Sequence, residues 1–417
     1  MKGITRFNLL LVNGVLCLFL LCGQVSASSV SIIEPQNPGF WQGGKVSGTS
    51  SQPSVSNDGL KGASKVQLDQ YYQEMVQRLR LEEKRTLVDV KKHWPIAELS
   101  GKSKWVEYGD GWQSKRVVDF ASNEIRVSSL SRMSNRESKE FAGIQLGELL
   151  SSTIFAALQR DPVLKHVLNI EDQEGLDQLV FSELFKTEAP TAKDISKLTH
   201  RLMKRAYARY RDQLAVRGNG GLQGASSKVT YVIPLPKSRM RDKAKQYLSS
   251  VRRYSSEFDI PADLVMAIMH TESHFNPLAR SHIPAFGLMQ IVPRTAGRDA
   301  SRVLFNKKKL LSAGFLYQPD NNIKVGAAYL NILSFRYLKN IKNPVSRMYC
   351  MVAAYNAGST NVARAFIPVP QMQKAVGVIN EMSNQQVLMR LIKFLPQRET
   401  REYVEKVLKR RKLYSRV

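Results

Sequence analysis

From Ser238 to Val417 the chain has no run in which apolar and polar residues alternate; its apolar residues recur at helical spacing between short loops. A half-buried strand needs a period of two and an amphipathic helix one of about 3.6, so this stretch is confined to helices packed on helices. The preceding half reads differently. Val66 to Val90 is helical and strongly charged, and KWVEYGDGWQSKRVVDFASNEIRVSSL alternates around the turn signals Gly-Asp-Gly and Ala-Ser-Asn, which predicts a small three-stranded meander. Glu137 to Leu214 returns to helical periodicity and ends in the basic stretch KRAYARYRDQL; after RGNGGLQGASS comes a short β-like segment, VTYVIPLP. The expected architecture is mainly α: a smaller α+β domain over 66–216, a linker at 217–227 and a helical domain over 228–417.

The first residues bear on compartment. Lys2 and Arg6 precede an apolar run from Leu9 to Leu21, broken only by Asn13 and Gly14, and Val25-Ser26-Ala27 follows. This order predicts a secretory signal peptide over 1–27, cleaved before Ser28. The run is shorter than the ~20 apolar residues of a membrane-spanning helix. Residues 28–65, rich in Ser, Gly, Asn and Pro, read as a flexible tether. Cys17 and Cys22 follow Leu16 and Leu21, whereas a bacterial lipoprotein cysteine normally follows a small residue, so ordinary cleavage is expected. Cys350 would then remain as a small core residue of a helix, which leaves no internal disulfide and no multi-cysteine metal site.

The net charge of +27 points to a polyanionic partner. Residues 228–417 carry 32 basic and 11 acidic groups, so that partner meets the C-terminal half. Secretion argues against nucleic acid, and neither Lys307-Lys308-Lys309 nor the KRRK at 409–412 has interleaved aromatics for base stacking. Both patches read as solvated faces that favour anionic cell wall and lipid headgroups.

Pro261 is placed to open a helix through ADLVMAIMHTESHF, on which Leu264, Ile268 and Glu272 fall on one face. A carboxyl continuing an apolar stripe is desolvated, which raises its pKa toward the range a general acid needs. A glutamate flanking the helix end and paired to an arginine fits the same position. The next segment, NPLARSHIPAFGLMQIVPRTAG, is rich in turn residues yet carries Phe286, Leu288, Met289 and Ile291, which predicts a structured wall beside Glu272. His270 and His274 have the i, i+4 spacing of a zinc pair, but Glu272 lies between them on the other side and no third ligand is evident. Neither metal nor cofactor is expected. Tyr355 continues the stripe Met348, Val352, as a core aromatic would.

Glu272-Ser273-X-Phe275-Asn276-Pro277-X-Ala279-X-Ser281, followed by Ala285-X-Gly287-Leu288-Met289-Gln290-Ile291, closely resembles the family 1 lytic transglycosylases of peptidoglycan. Three further blocks keep the family's order: Asn322-Ile323 with Gly326 and Tyr329-Leu330; Ala353-Ala354-Tyr355-Asn356-Ala357-Gly358; and Glu399-Thr400-Arg401-X-Tyr403-Val404. The helix running into KKHWPIAELSGKSKWVEYGDGWQSKRVVDF resembles the domain that precedes the catalytic region in one branch of the family.

The resemblance implies a goose-lysozyme-like catalytic domain with Glu272 as its single acid/base, and peptidoglycan glycan strands as substrate. Ser281, Met289 and Gln290 would line the glycan groove, Tyr355 and Tyr403 would stand near the catalytic carboxyl, and Asn356 and Asn322 are further site candidates. It also implies a periplasmic setting at the outer membrane. One-carboxylate chemistry agrees with the acid count, since an ordinary glycosidase needs a second Asp or Glu unless the substrate assists. Asp299 and Asp320, the nearest downstream, read as surface or capping groups. A hydrolytic muramidase on the same fold and a non-catalytic glycan-binding protein are the alternatives.

Overall fold

In a computed structural model of the chain, the described residues are 55–56, 59–60, 64–131, 133–168, 170, 174–210 and 229–415. They fall in one compact unit, Gln52–Val417. The stretches expected to be a signal peptide (1–27) and a linker (217–227), and most of the expected tether, lie outside the described residues. Ser64 and Gln67 exchange side-chain and backbone hydrogen bonds to start the long helix Lys65–His93. That helix ends at Trp94, which is buried, donates from Nε1 to the Trp112 carbonyl at 2.7 Å and has the Lys115 ammonium over its ring.

The predicted meander forms from Lys104–Tyr108, Ser114–Asp119 and Glu124–Ser129, with Val106 opposite Val117 and Val118 opposite Ile125. It does not stop at three strands. Val229–Pro234 pairs antiparallel with Glu124–Ser129, and Tyr207–Tyr210 pairs with Val229–Pro234, giving a five-stranded antiparallel sheet. Within the basic stretch expected to be helical, Tyr207–Tyr210 is therefore an edge strand, and four residues are too few for a two-residue period to register as a pattern. The sheet takes a strand from beyond the expected linker, so the two halves of the chain share hydrogen bonds as well as apolar surface.

A second tie is electrostatic. The Glu183 side chain is fully buried between Arg239 Nη1 at 3.1 Å and Lys243 Nζ at 3.0 Å, both cations also buried. Arg239 Nε donates to Asn123 Oδ1 at 2.8 Å, and Lys243 Nζ donates to the Val180 carbonyl at 2.8 Å. Burial holds the Lys243 ammonium below its usual pKa range, while Glu183 opposes that shift. Both cations lie on the helix Arg239–Glu257, which packs against the helix Ala262–Ser273. All the regular structure described beyond Arg239 is helical, and most of its apolar side chains join one core with those of the sheet.

Candidate active site

Ala262–Ser273 is buried along most of its length, with Pro261 as the N-cap residue rather than the first helical one. Its last turn carries Glu272, 5% exposed, and the chain then reverses through two residues in the left-handed region, His274 (φ 52°) and Phe275 (φ 58°). Non-glycine residues in that region cost about 1–3 kcal/mol each and persist only when their surroundings fix them. Here the surroundings do so: Phe275 is fully buried, Arg410 donates to the His270 carbonyl at 2.9 Å, and Arg410 also contacts His274 Nε2 at 3.1 Å.

The segment after the reversal is the structured wall expected from its apolar content. Phe286, Leu288, Met289 and Ile291 are buried, and Phe286 forms isolated bridges with Arg280 and Ile291. Ser273 Oγ donates to the Leu288 carbonyl at 2.7 Å, tying the wall to the helix of Glu272. Asn322 fixes the wall from below: its Oδ1 accepts from Met289 N at 2.7 Å, and its Nδ2 donates to the carbonyls of Phe286 and Leu316 at 2.8 and 2.6 Å. At Gly287 (φ +73°) a Cβ would overlap Asn322 Nδ2 and the Leu316 carbonyl, so no other residue lets this turn sit so close.

Two tyrosines converge on Glu272. Tyr403, from the helix Arg398–Arg411, faces the carboxylate closely enough to favour its charged form, and its buried hydroxyl completes no hydrogen bond. Tyr355, from Pro344–Ala357, donates to the Met289 carbonyl at 2.8 Å and lies with its ring centroid 5.6 Å from that of Tyr329. It is thus both a packed aromatic and part of the site. Burial raises the pKa of Glu272 above the ordinary carboxylate value, and exposed Glu399 adds to the rise; Lys102 and Tyr403 oppose it. Proximity of Glu272 pushes both tyrosine hydroxyls further up, beyond the effect of burial.

The other expected site residues separate into roles. Gln290, in the left-handed region and nearly buried, donates from Nε2 to the Gly287 carbonyl and leaves Oε1 without a partner. Ser281 turns its hydroxyl to the Ile283 carbonyl in the partly exposed turn of the wall. Asn356 accepts from Thr400 Oγ1 at 2.7 Å and so locks the two tyrosine-bearing helices together. Asn322 and Met289 are fully buried; their part is to hold the wall in place, and they present no surface to a ligand. Asp299 accepts from Tyr337, and Asp320 is engaged by Arg253, Tyr254 and Ser250. Cys350 is buried, which pushes its thiol pKa up.

Two readings change. The KRRK stretch is not a solvated face throughout, because Arg410 caps the Glu272 helix and Arg411 pairs with Asp263 at 2.7 Å. The ion partner of Glu272 is no arginine but Lys102, whose Nζ lies 3.6 Å from Oε2. Nothing local to Lys102 marks it, since it lies in a loop before the first strand of the sheet and reaches Glu272 only through tertiary folding.

His270 and His274 are neutral by construction. His270 Nδ1 is 2.9 Å from Tyr414 Oη, and burial beside Arg410 lowers the two imidazoles to about 3 and about 4. In the unfolded chain they titrate near 6.5. The unfolded state therefore takes up protons first as pH falls, and stability present above about pH 6.5 is lost progressively toward pH 4. The melting temperature should accordingly decline between pH 7 and 5, before most carboxylates protonate. A flat melting temperature across that interval, followed by calorimetry, would overturn this account.

The transglycosylase SLT domain family model matches residues 249–375, the stretch that carries Glu272, the wall and Tyr355. Over 334 residues the chain is 32% identical to membrane-bound lytic murein transglycosylase C of Pectobacterium atrosepticum, spanning 78% of this chain and 86% of that one. The protein of the same name from Klebsiella pneumoniae is 32% identical over 320 residues, 76% of this chain and 83% of that one. Among solved structures, an inactive mutant of lytic transglycosylase Slt from Pseudomonas aeruginosa shares 26% identity at a TM-score of 0.32, over 43% of this chain and 27% of that longer one. The helical fold built around one buried glutamate is that of the SLT-domain lytic transglycosylases. Within that class, the chain belongs to the membrane-bound lytic murein transglycosylase C family.

Proposed function

We propose that this enzyme cleaves the MurNAc–GlcNAc β-1,4 bond of peptidoglycan without consuming water, using Glu272 as acid and then as base. The observation that carries this reading is a buried carboxyl whose protonated form is favoured by desolvation, at the end of a helix enclosed by Tyr355, Tyr403 and the 276–291 wall. Protonated Glu272 donates to the glycosidic oxygen as the bond to C1 breaks. The resulting carboxylate then takes the proton of the muramoyl 6-hydroxyl as that oxygen attacks C1, closing a 1,6-anhydro ring. Buried surroundings suit both halves, because general acid–base catalysis works best when the group's pKa lies near the working pH. Gln290, Ser281 and Asn356 supply uncharged polar groups around the groove, as recognition of a neutral sugar backbone requires. The setting proposed is the periplasm, where the excess of basic groups after residue 228 draws the protein to anionic wall and headgroups. Among the described residues no helix is long and apolar enough to cross a membrane.

Mass spectrometry of purified sacculi digested with the full chain tests this reading. Anhydromuramoyl ends are the expected products. Predominantly reducing ends, heavier by one water, would instead establish a hydrolytic muramidase, and an undigested sacculus that retains bound protein would establish a binding protein.

A further inference from the structure

Glu272 is held by a charge that the SLT-matching stretch does not contain. Lys102 sits in the loop before the strand Lys104–Tyr108, and its carbonyl accepts from Nδ2 of buried Asn276 at 3.2 Å, which fixes the loop against the residue that follows the left-handed reversal. From there its side chain, 42% exposed, brings the ammonium to 3.6 Å from Glu272 Oε2, an ion-pair distance too long for a hydrogen bond. With Glu272 as acid and base, on which this inference rests, we propose that Lys102 is a positioning residue that governs the protonation of Glu272 and thereby sets the upper pH limit of cleavage.

The groups facing the carboxylate come from three elements: Lys102 from the sheet region, Tyr403 and Glu399 from the helix Arg398–Arg411, and Tyr355 from Pro344–Ala357. Burial and Glu399 favour the neutral acid, whereas Lys102 and Tyr403 favour the carboxylate. Of these only Lys102 carries a positive charge, and its side chain is partly exposed to solvent. With the ammonium in place, Glu272 gives up its proton at lower pH, and the anion left after protonation of the leaving oxygen is stabilised. With it gone, Glu272 keeps its proton, and stays neutral, to higher pH. The N-terminal region thus tunes a catalytic group that the helical region builds.

The test is the pH profile of kcat/KM on a soluble glycan fragment for the full chain and for Lys102→Met and Lys102→Arg. An opposite charge within ion-pair distance lowers a carboxyl pKa by about 1–3 units, and partial exposure brings the expected value to the low end. Lys102→Met should therefore move the falling alkaline limb up by about one pH unit. Lys102→Arg should restore the original limb, and raising salt should shift the unaltered chain toward the Met variant, because exposed charges are screened. If Lys102→Met lowers activity equally at every pH, or leaves the limb where it was, the inference is overturned. Glu272→Gln run beside it separates the two readings: its activity would remove Glu272 as the acid, whereas its inactivity with an unmoved Lys102→Met limb removes only the role of Lys102.

Discussion

Glu272→Gln should abolish turnover of purified sacculi while leaving the fold intact. The amide has the shape of the carboxyl but can neither donate nor accept the catalytic proton, and positioned acid–base catalysis is worth about 10²–10⁴-fold. The loss should appear in the yield of anhydromuramoyl ends, and retention of more than a tenth of the unaltered activity would show that another group is the acid. Stability provides a second readout with a defined sign. Burial raises the folded-state pKa of Glu272 above its unfolded value, so the folded chain keeps a proton that the unfolded chain releases. That contribution is lost as pH rises through the folded pKa, and above it the buried carboxylate destabilises the fold. Gln removes the penalty. Losing the contact between the Glu272 carboxylate and Lys102 offsets only part of this gain, because that ammonium is partly solvated and its field is screened. At neutral pH the inactive variant should melt at or above the temperature of the active chain, and a clear drop would mean that Glu272 also supports the fold.

Glu183→Gln should cost about 3–5 kcal/mol of stability, because removing one partner of a buried ionic group leaves the rest uncompensated. Arg239 and Lys243 are both buried against Glu183, and Gln would leave two cations with no anion between them. Lys243 can relieve the strain by losing its proton, a tendency burial already promotes, whereas Arg239 cannot. Urea titration read by circular dichroism checks this. A shift under about 1 kcal/mol, the range of exposed pairs, would mean that water reaches the cluster. Because Arg239–Glu257 packs on the helix of Glu272, activity should fall with the folded fraction and recover when temperature is lowered.

Local order carried a large part of this structure. The absence of any two-residue period after Ser238 confined that region to helices, and the stripe Leu264, Ile268, Glu272 placed a carboxyl where it would be desolvated. The apolar residues of the 276–291 segment likewise marked it as a packed wall. These features are legible because helical burial and turn chemistry depend on neighbours within a few residues. What the sequence could not decide lies in contacts between distant segments. Val229–Pro234 became an inner strand because Glu124–Ser129 offered an unpaired edge, and Tyr207–Tyr210 then found a partner in it. Asn322 turned inward as a clamp because three backbone groups of the wall and its neighbour needed partners in the core. Lys102 reached Glu272 because Asn276 holds its loop there. Coulombic attraction and backbone hydrogen bonding are blind to separation along the chain and act only when folding has brought the groups within a few ångströms, so the charge beside the acid was fixed by the tertiary structure alone.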